Sequence, residues 1–439
     1  MRSALPEGPP SLLRRARLAA DAGADRVYGL WRSPVRGPWL TSVLGSVLLV
    51  GIPVELVTGL VSYAAYDPRL AGNDQTPLHG LFGAYLFGWI TDPSWIYRVS
   101  QGTHVILGLV LVPVVAAKLW SVIPRLFTWP PAATVAKVAE RISLLLLVGG
   151  IVFEMATGVL NIADDYSFGF SFYTGHFFGA WLFIAGFASH VAVKFGTMRR
   201  SLRSRRLRTE LATGLAATVV EDVDSDLVAV NPAPATISRR GVLALVGGSS
   251  LAVLVFTAGQ SIGGWARHVA LLAPRGRSYG SGPNDFQVNI TARTAGISPA
   301  QTGASWQLEL VGTTTVMLSR DELLAMPLRT EELPIACVEG WSTSQTWTGV
   351  PLADLAALAG VPDPATARVI SLQSGGAFAA VTLGGNQVTA PGSMLALMVN
   401  GTDLSMDHGY PARTVVPAAP GVHNTKWVRR IELHPARPA

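Results

Sequence analysis

The sequence predicts two fold classes joined in one chain: an all-α transmembrane bundle of four helices with a fifth anchoring helix, followed by a β-rich domain with a few short helices. Three observations carry this. The 439 residues are 49% hydrophobic and only 14% charged, too apolar for a soluble chain about this rich in Gly and Pro. Five apolar segments before residue 266 are each long enough to cross roughly 30 Å of hydrocarbon as a helix. From about residue 283 the pattern changes to short alternating runs broken by Gly, Pro and Asn.

Residues 1–38 form a cytoplasmic segment carrying Arg14, Arg15, Arg17, Arg26, Arg32 and Arg36. Four spans follow within 39–197, at 39–63, 99–123, 138–162 and 174–196. The loop after the second span holds Lys118, Arg125, Lys137 and Arg141, and the fourth runs into KFGTMRRSLRSRRLR. The opposite loops carry Asp67, Asp74, Asp92, Asp164 and Asp165 and are not basic. Basic residues accumulate on the cytoplasmic side, so the N-terminus is cytoplasmic and the helices run up, down, up, down. No aromatic–basic interleaving accompanies the net charge of +6, which excludes a nucleic-acid surface.

Residues 198–238 read as a cytoplasmic linker, basic then acidic and flexible. The fifth helix, 239–265, begins at Arg239 and Arg240 and crosses outward, delivering 266–439 to the extracytoplasmic side of a multi-pass cell-membrane protein. SRRGVL resembles a twin-arginine signal, here internal, which would engage the twin-arginine export machinery; the paired arginines are equally ordinary positive-inside anchors. Within 266–439 the runs WQLELVG, TVMLS, ARVISLQS and MLALMVNG read as strands, and PLADLAALAG (351–360) as a helix.

Ionisable side chains in a span are expensive and become functional candidates. His104 lies in the second span, and His176 and His190 lie in the fourth. Fourteen residues of helix rise about 21 Å and return to nearly the same face, so His176 and His190 face one way at outer and inner levels. His104 lies at about the depth of His176, which gives an outer bis-histidine haem b between them. His190 is a candidate for a second haem, but the second span offers Ala117 and Lys118 where its partner is needed. Hydrogen-bonded core histidines are the competing reading, and His79, on an interfacial helix, is an alternative outer ligand.

The one cysteine, Cys337, sits in LPIACVEGWSTSQTWTGV, which excludes an internal disulfide, a CxxC pair and thiolate zinc clusters. Buried packing is the ordinary role for such a thiol. A thiolate is also the natural ligand for a soft redox metal, and Gly340, Trp341 and Trp347 are suited to close approach and to walling a site.

PIACVEGWSTSQTWTGVPLADLAALAG strongly resembles the cysteine segment of the sulfite oxidase family of molybdenum enzymes. VNGTDLSMDHGYPARTVVPAAPGVHNTKWVRRIEL is similar to that family's N-G-x-x-L, D-H-G-Y-P-x-R and K-W elements, in order. The resemblance covers about 155 residues and implies an α+β fold around one molybdopterin, with Cys337 as the thiolate on molybdenum. It implies cofactor-holding roles for His408, Arg413, Asn424, Thr425 and Lys426, a catalytic role for Arg413, and weaker binding roles for Asn289 and Ser374. Arg413 and Lys426 suit an anionic pterin phosphate, while Glu339 and Asp407 more readily orient neighbours than do chemistry. An early R-x-H motif of sulfite oxidases is absent and Phe378 lies where a Tyr is sought, so sulfite is a doubtful substrate. The first half resembles the membrane cytochrome b domains that serve exported redox enzymes. Together these imply a membrane-bound oxidoreductase acting on a small molecule or an oxidised side chain, exchanging electrons with a b haem and the quinone pool. The alternatives are a non-catalytic receptor or scaffold, and an active molybdenum domain on a haemless anchor.

Overall fold

The computed structural model describes residues 32–76, 79, 83–126, 135–162, 170–229, 231–376 and 379–436. Arg14, Arg15, Arg17, Arg26, Asp164, Asp165 and Phe378, on which parts of the sequence reading rest, lie outside the described residues. Five helices are long and apolar enough to cross a membrane: α1 (Pro38–Ala65), α2 (Ile96–Leu126), α3 (Val135–Ile162), α4 (Phe172–Ser204) and α5 (Arg239–Ile262). They coincide with the five apolar segments and mostly overrun them by a few residues. Between α1 and α2, the described residues from Tyr85 to Thr91 are not helical, and His79 sits on an exposed turn at positive φ, so the interfacial helix expected around it does not form there.

The chain divides into two compact units. The first takes residues up to Ile52, Val110–Met155 and Phe178–Leu251. Within it, the stretch expected to be a flexible linker is tied down by buried charge. The Glu221 carboxylate accepts the Trp39 N–H at 3.1 Å, capping an N–H in the first turn of α1. Arg239, only 2% exposed, donates to the carbonyls of Pro34, Val35 and Val219 and pairs with the buried Glu210 at 3.3 Å. Acidic composition suggested disorder here; these few acids instead satisfy specific donors, which composition does not reveal.

The second unit takes Pro53–Leu109, Ala156–Phe177 and Ala252–Ala439. Its C-terminal part is sheet-rich. One sheet has the order β2 (Thr315–Ser319), β1 (Gln307–Val311), β10 (Val428–Pro435), β5 (Pro364–Ser371), β6 (Ala380–Gly384), with β1 and β10 parallel and the other pairs antiparallel. The second has the order β3 (Arg329–Ala336), β4 (Ser342–Pro351), β7 (Met394–Val399), β8 (Thr402–Asp403), with β9 (Arg413–Val415) also on β7. A core of Leu308, Leu310, Val369, Leu383, Leu397 and Ile431, with Leu355 of α6 (Leu352–Leu358), joins the elements. The alternating strands bury one face, whereas β7 (MLALMV) is buried along almost its whole length, as a continuous apolar run requires.

The segment after α1 clasps this domain through paired backbone and amide bonds. Asn73 donates to the Thr382 carbonyl at 2.8 Å and accepts the Thr382 N–H at 3.0 Å. The Trp89 indole donates to the Ala418 carbonyl at 2.8 Å, and Asn386 donates to the Trp89 carbonyl at 2.8 Å. Both tryptophan and asparagine amides are largely withdrawn from water here, so each bond replaces solvation that the group has lost.

Candidate functional site

Cys337 follows β3 directly and occupies the tight turn into β4. Its N–H donates to the Trp341 carbonyl at 2.9 Å, and the Gly340 N–H donates back to the Cys337 carbonyl at 3.0 Å. Gly340 holds φ 86°, and a side chain there would also meet Val105 at 2.7 Å, so glycine is required by both backbone and neighbour. The thiol is buried, and burial, with the nearby Glu339 carboxylate second, pushes its ionisation far above the ordinary thiol range. A metal bound to sulfur reverses that, since a coordinating thiol is deprotonated outright. Glu339 is locked by Arg275, at 2.6 Å, and by the Trp341 indole, at 3.0 Å, which fits an orienting role.

A small cavity of about 20 Å³ brings together Cys337, Trp341, Asn289, Gln287, Thr343 and Arg413. Trp341 walls it as expected, but Trp347 does not; its ring lies under the Arg413 guanidinium at 5.0 Å instead. Arg413 stands at the start of β9, where its guanidinium donates to the carbonyls of His408 and Asn424, both at 3.1 Å. Gly409, at φ 109°, lets the chain pass within 3.1 Å of the Arg413 and Lys426 side chains, where any Cβ would crowd them.

The candidate binding residues divide by what their side chains do. The Asn424 amide is used up locally, accepting the Val416 N–H at 2.7 Å and donating to the Pro420 carbonyl at 3.3 Å, so it shapes the loop. His408 stacks on Phe286 at 3.6 Å and makes a 2.9 Å bond to the Asn284 carbonyl, and burial, then Arg413, lowers its pKa to about 4. Lys426 donates to the backbone carbonyls of Ile290 and Asp407, and burial holds its pKa well below the ordinary lysine range. The Asp407 carboxylate accepts the Ala292 N–H at 2.8 Å, orienting a neighbour as expected. Ser374 is exposed and lies outside the cavity lining.

Two buried cations therefore lie close together, and neither makes an ion pair among the described residues. The Arg413 Nε and the Thr425 hydroxyl are buried without a hydrogen-bond partner. Unpaired buried donors are costly, so this arrangement fits an anionic, hydrogen-bond-rich cofactor beside the cysteine and not a solvated surface pair. Neither Gln287 nor the Arg275–Glu339 pair was singled out in the sequence as part of the site; both stand outside the strong motif segments.

The cysteine turn is bound to two of the membrane-length helices. Gln101 of α2 donates to the Val338 carbonyl at 2.7 Å, Ser261 of α5 donates to the Gly340 carbonyl, and Ser342 donates back to the Ser261 carbonyl at 2.8 Å. Val105, packed on Gly340, follows His104 in α2. The His104 and His176 rings stand 6.2 Å apart, centre to centre, at 89°. Nδ1 of His104 is engaged by Glu55, with 3.0 Å to the carboxylate and 3.2 Å to the carbonyl, and by Thr58 at 3.2 Å; Nδ1 of His176 is 2.9 Å from the Thr157 hydroxyl. Such bonds turn an imidazole so that Nε2 is its ligating atom. Imidazole–metal bonds of about 2 Å on each side would separate the ring centres by roughly 6 Å. The two histidines thus fit one shared metal. His190 lines a separate cavity in the first unit, where no second histidine is present among the described lining residues.

Residues 295–438 match the family model of the oxidoreductase molybdopterin binding domain. The chain is 32% identical over 131 residues to an uncharacterized oxidoreductase, YuiH, of Bacillus subtilis (strain 168), covering 29% of this chain and 65% of that protein. It is 30% identical over 104 residues to sulfite oxidase of Gallus gallus, covering 22% and 23%. It is 32% identical over 146 residues to the protein-methionine-sulfoxide reductase catalytic subunit MsrP of Gluconobacter oxydans (strain 621H), covering 29% and 46%. The chain thus spans less than two thirds of each of these relatives.

Proposed function

We propose that this chain, an enzyme whose C-terminal region is a molybdopterin-binding oxidoreductase domain of the sulfite oxidase family, performs oxo transfer on a small molecule or an oxidised side chain at the outer membrane face. Its electrons pass through a b haem held by His104 and His176 and are exchanged with the quinone pool. The observation that carries this reading is the attachment of the Cys337 turn to α2, with Val105 against Gly340 and His104 next in the helix. One chain thereby links the cysteine to the paired histidines by direct packing.

Bound molybdopterin would supply two-electron oxo-transfer chemistry at molybdenum, which side chains alone do not provide. The chain's own part is to bind and orient. Cys337 would ligate the metal as thiolate; Arg413, Lys426 and Thr425 would meet the cofactor's anionic and hydrogen-bonding edges; Asn289 and Trp341 would line the approach to the cysteine. Glu55, Thr58 and Thr157 would set the histidine tautomers. Resemblance to a methionine-sulfoxide reductase subunit makes sulfoxides the first substrate class to examine.

The test follows absorbance of the dithionite-reduced b haem as sulfoxides, N-oxides and, on the oxidised protein, sulfite are added. Wild-type haem should be reoxidised by an oxo donor, and Cys337→Ser should abolish this while leaving the haem spectrum intact. Reoxidation that persists in Cys337→Ser would remove the assignment. A protein that turns over oxo donors with an artificial dye but holds no haem would favour the haemless-anchor reading.

A further inference from the structure

The first unit contains a cavity of about 380 Å³, within the usual range for small-molecule sites, bounded by α1, α2, α3 and α4. Its walls are chiefly aliphatic and aromatic, with Leu48, Ile52, Val115, Leu147, Phe183 and Phe187 among them. Two nitrogen-bearing side chains from facing helices join this lining, Lys118 of α2 and His190 of α4.

Their positions follow a rule already visible at the other level. Lys118 is fourteen residues after His104, and His190 is fourteen after His176. That spacing returns each side chain to nearly the same helix face about 21 Å further along. The Lys118–His190 pair therefore repeats the His104–His176 pair with one imidazole replaced by an amine. An ammonium has three donors and no lone pair, so it is a poor partner for iron and a good one for a carbonyl oxygen. Lys118 spends one donor on the Thr41 carbonyl at 2.6 Å and makes no ion pair among the described residues. Gly45 of α1 keeps space beside it, since a Cβ there would lie 3.1 Å from Nζ.

We propose that this cavity is a quinone site, with Lys118 and His190 meeting the oxygens of the ring and the apolar walls holding the ring and the start of its tail. When substrate is being reduced, the bound quinol loses two protons and two electrons: its two O–H bonds break and two C=O bonds form. The electrons leave one at a time to the b haem. One proton passes to His190 as neutral imidazole, and the other leaves to water. The electron acceptor rests on the b-haem reading above; the binding of quinone does not.

The experiment uses the full chain in lipid nanodiscs, photolabelled with an azidoquinone in competition with a short-chain ubiquinone. Label should appear in peptides covering 111–122 and 183–201. Lys118→Met, and Leu147→Trp, which fills the cavity, should each weaken competition by about tenfold or more while b-haem and molybdenum contents stay at wild-type values. Label confined to other segments, or competition unchanged in both variants, overturns the site. So does loss of a b-haem signal in His190→Ala, which would make the cavity a second haem site. Quinone competition that persists in a wild-type protein lacking haem supports the site and counts only against the electron path.

Discussion

Arg413 and Lys426 show how a residue can be costly alone and useful in company. Each is buried, each bonds backbone carbonyls, and neither has a carboxylate among the described residues. Replacing Lys426 with Met removes a desolvated charge, so the cofactor-free protein should be no less stable. Its molybdopterin content should fall by an order of magnitude or more, since a charge-assisted bond is worth about 1.5–3 kcal/mol. Fluorescence of oxidised pterin released from the purified variant checks this, and wild-type content would show that Lys426 does not hold the cofactor. His408 makes a second, signed prediction. Its folded pKa of about 4 lies below the ordinary 6.5, so the unfolded chain binds the extra proton between those values. Stability contributed by the neutral ring is full above about pH 6.5 and is lost as pH falls toward 4. His408→Gln should flatten that part of a thermal-unfolding profile against pH; an equally steep loss would assign it to other groups.

The elements divide by how their formation is written in the sequence. The five long helices and β1, β2, β5 and β7 were legible, because an uninterrupted apolar run or a period of two needs no information from elsewhere. The ordered course of residues 205–238 was not, because it depends on single long-range partners. Glu221 matters only where the Trp39 N–H meets it, and Arg239 only where three carbonyls and Glu210 surround it. Arg239 therefore has a structural role that neither a twin-arginine signal nor a surface anchor anticipates. Arg239→Ala leaves Glu210 buried with fewer partners and should destabilise the first unit by about 3 kcal/mol. Thermal unfolding of protein already inserted in the membrane is the check. An unchanged midpoint would return Arg239 to a role in export or topology alone. The cysteine turn is similar: its motif was readable, but its grip on α2 and α5 through Gln101 and Ser261 was not.

At the scale of the whole molecule, two centres are proposed on one chain. The molybdopterin domain was legible because its motif segments are long and ordered, and residues 295–438 match the family model. The haem rested on three isolated histidines, a weak signal, since hydrophobic helices constrain few identities. What the fold adds is pairing: His104 and His176 lie ring to ring, each with Nδ1 engaged, whereas the cavity beside His190 offers Lys118. The most direct test of the account is therefore a single purification, measured for molybdenum by elemental analysis and for b haem by a reduced-minus-oxidised spectrum. Wild type should contain both in equal amounts, and His104→Ala combined with His176→Ala should lose the haem band while keeping its molybdenum. A wild-type protein without molybdenum, or a b-haem band that survives loss of both histidines, would contradict the account.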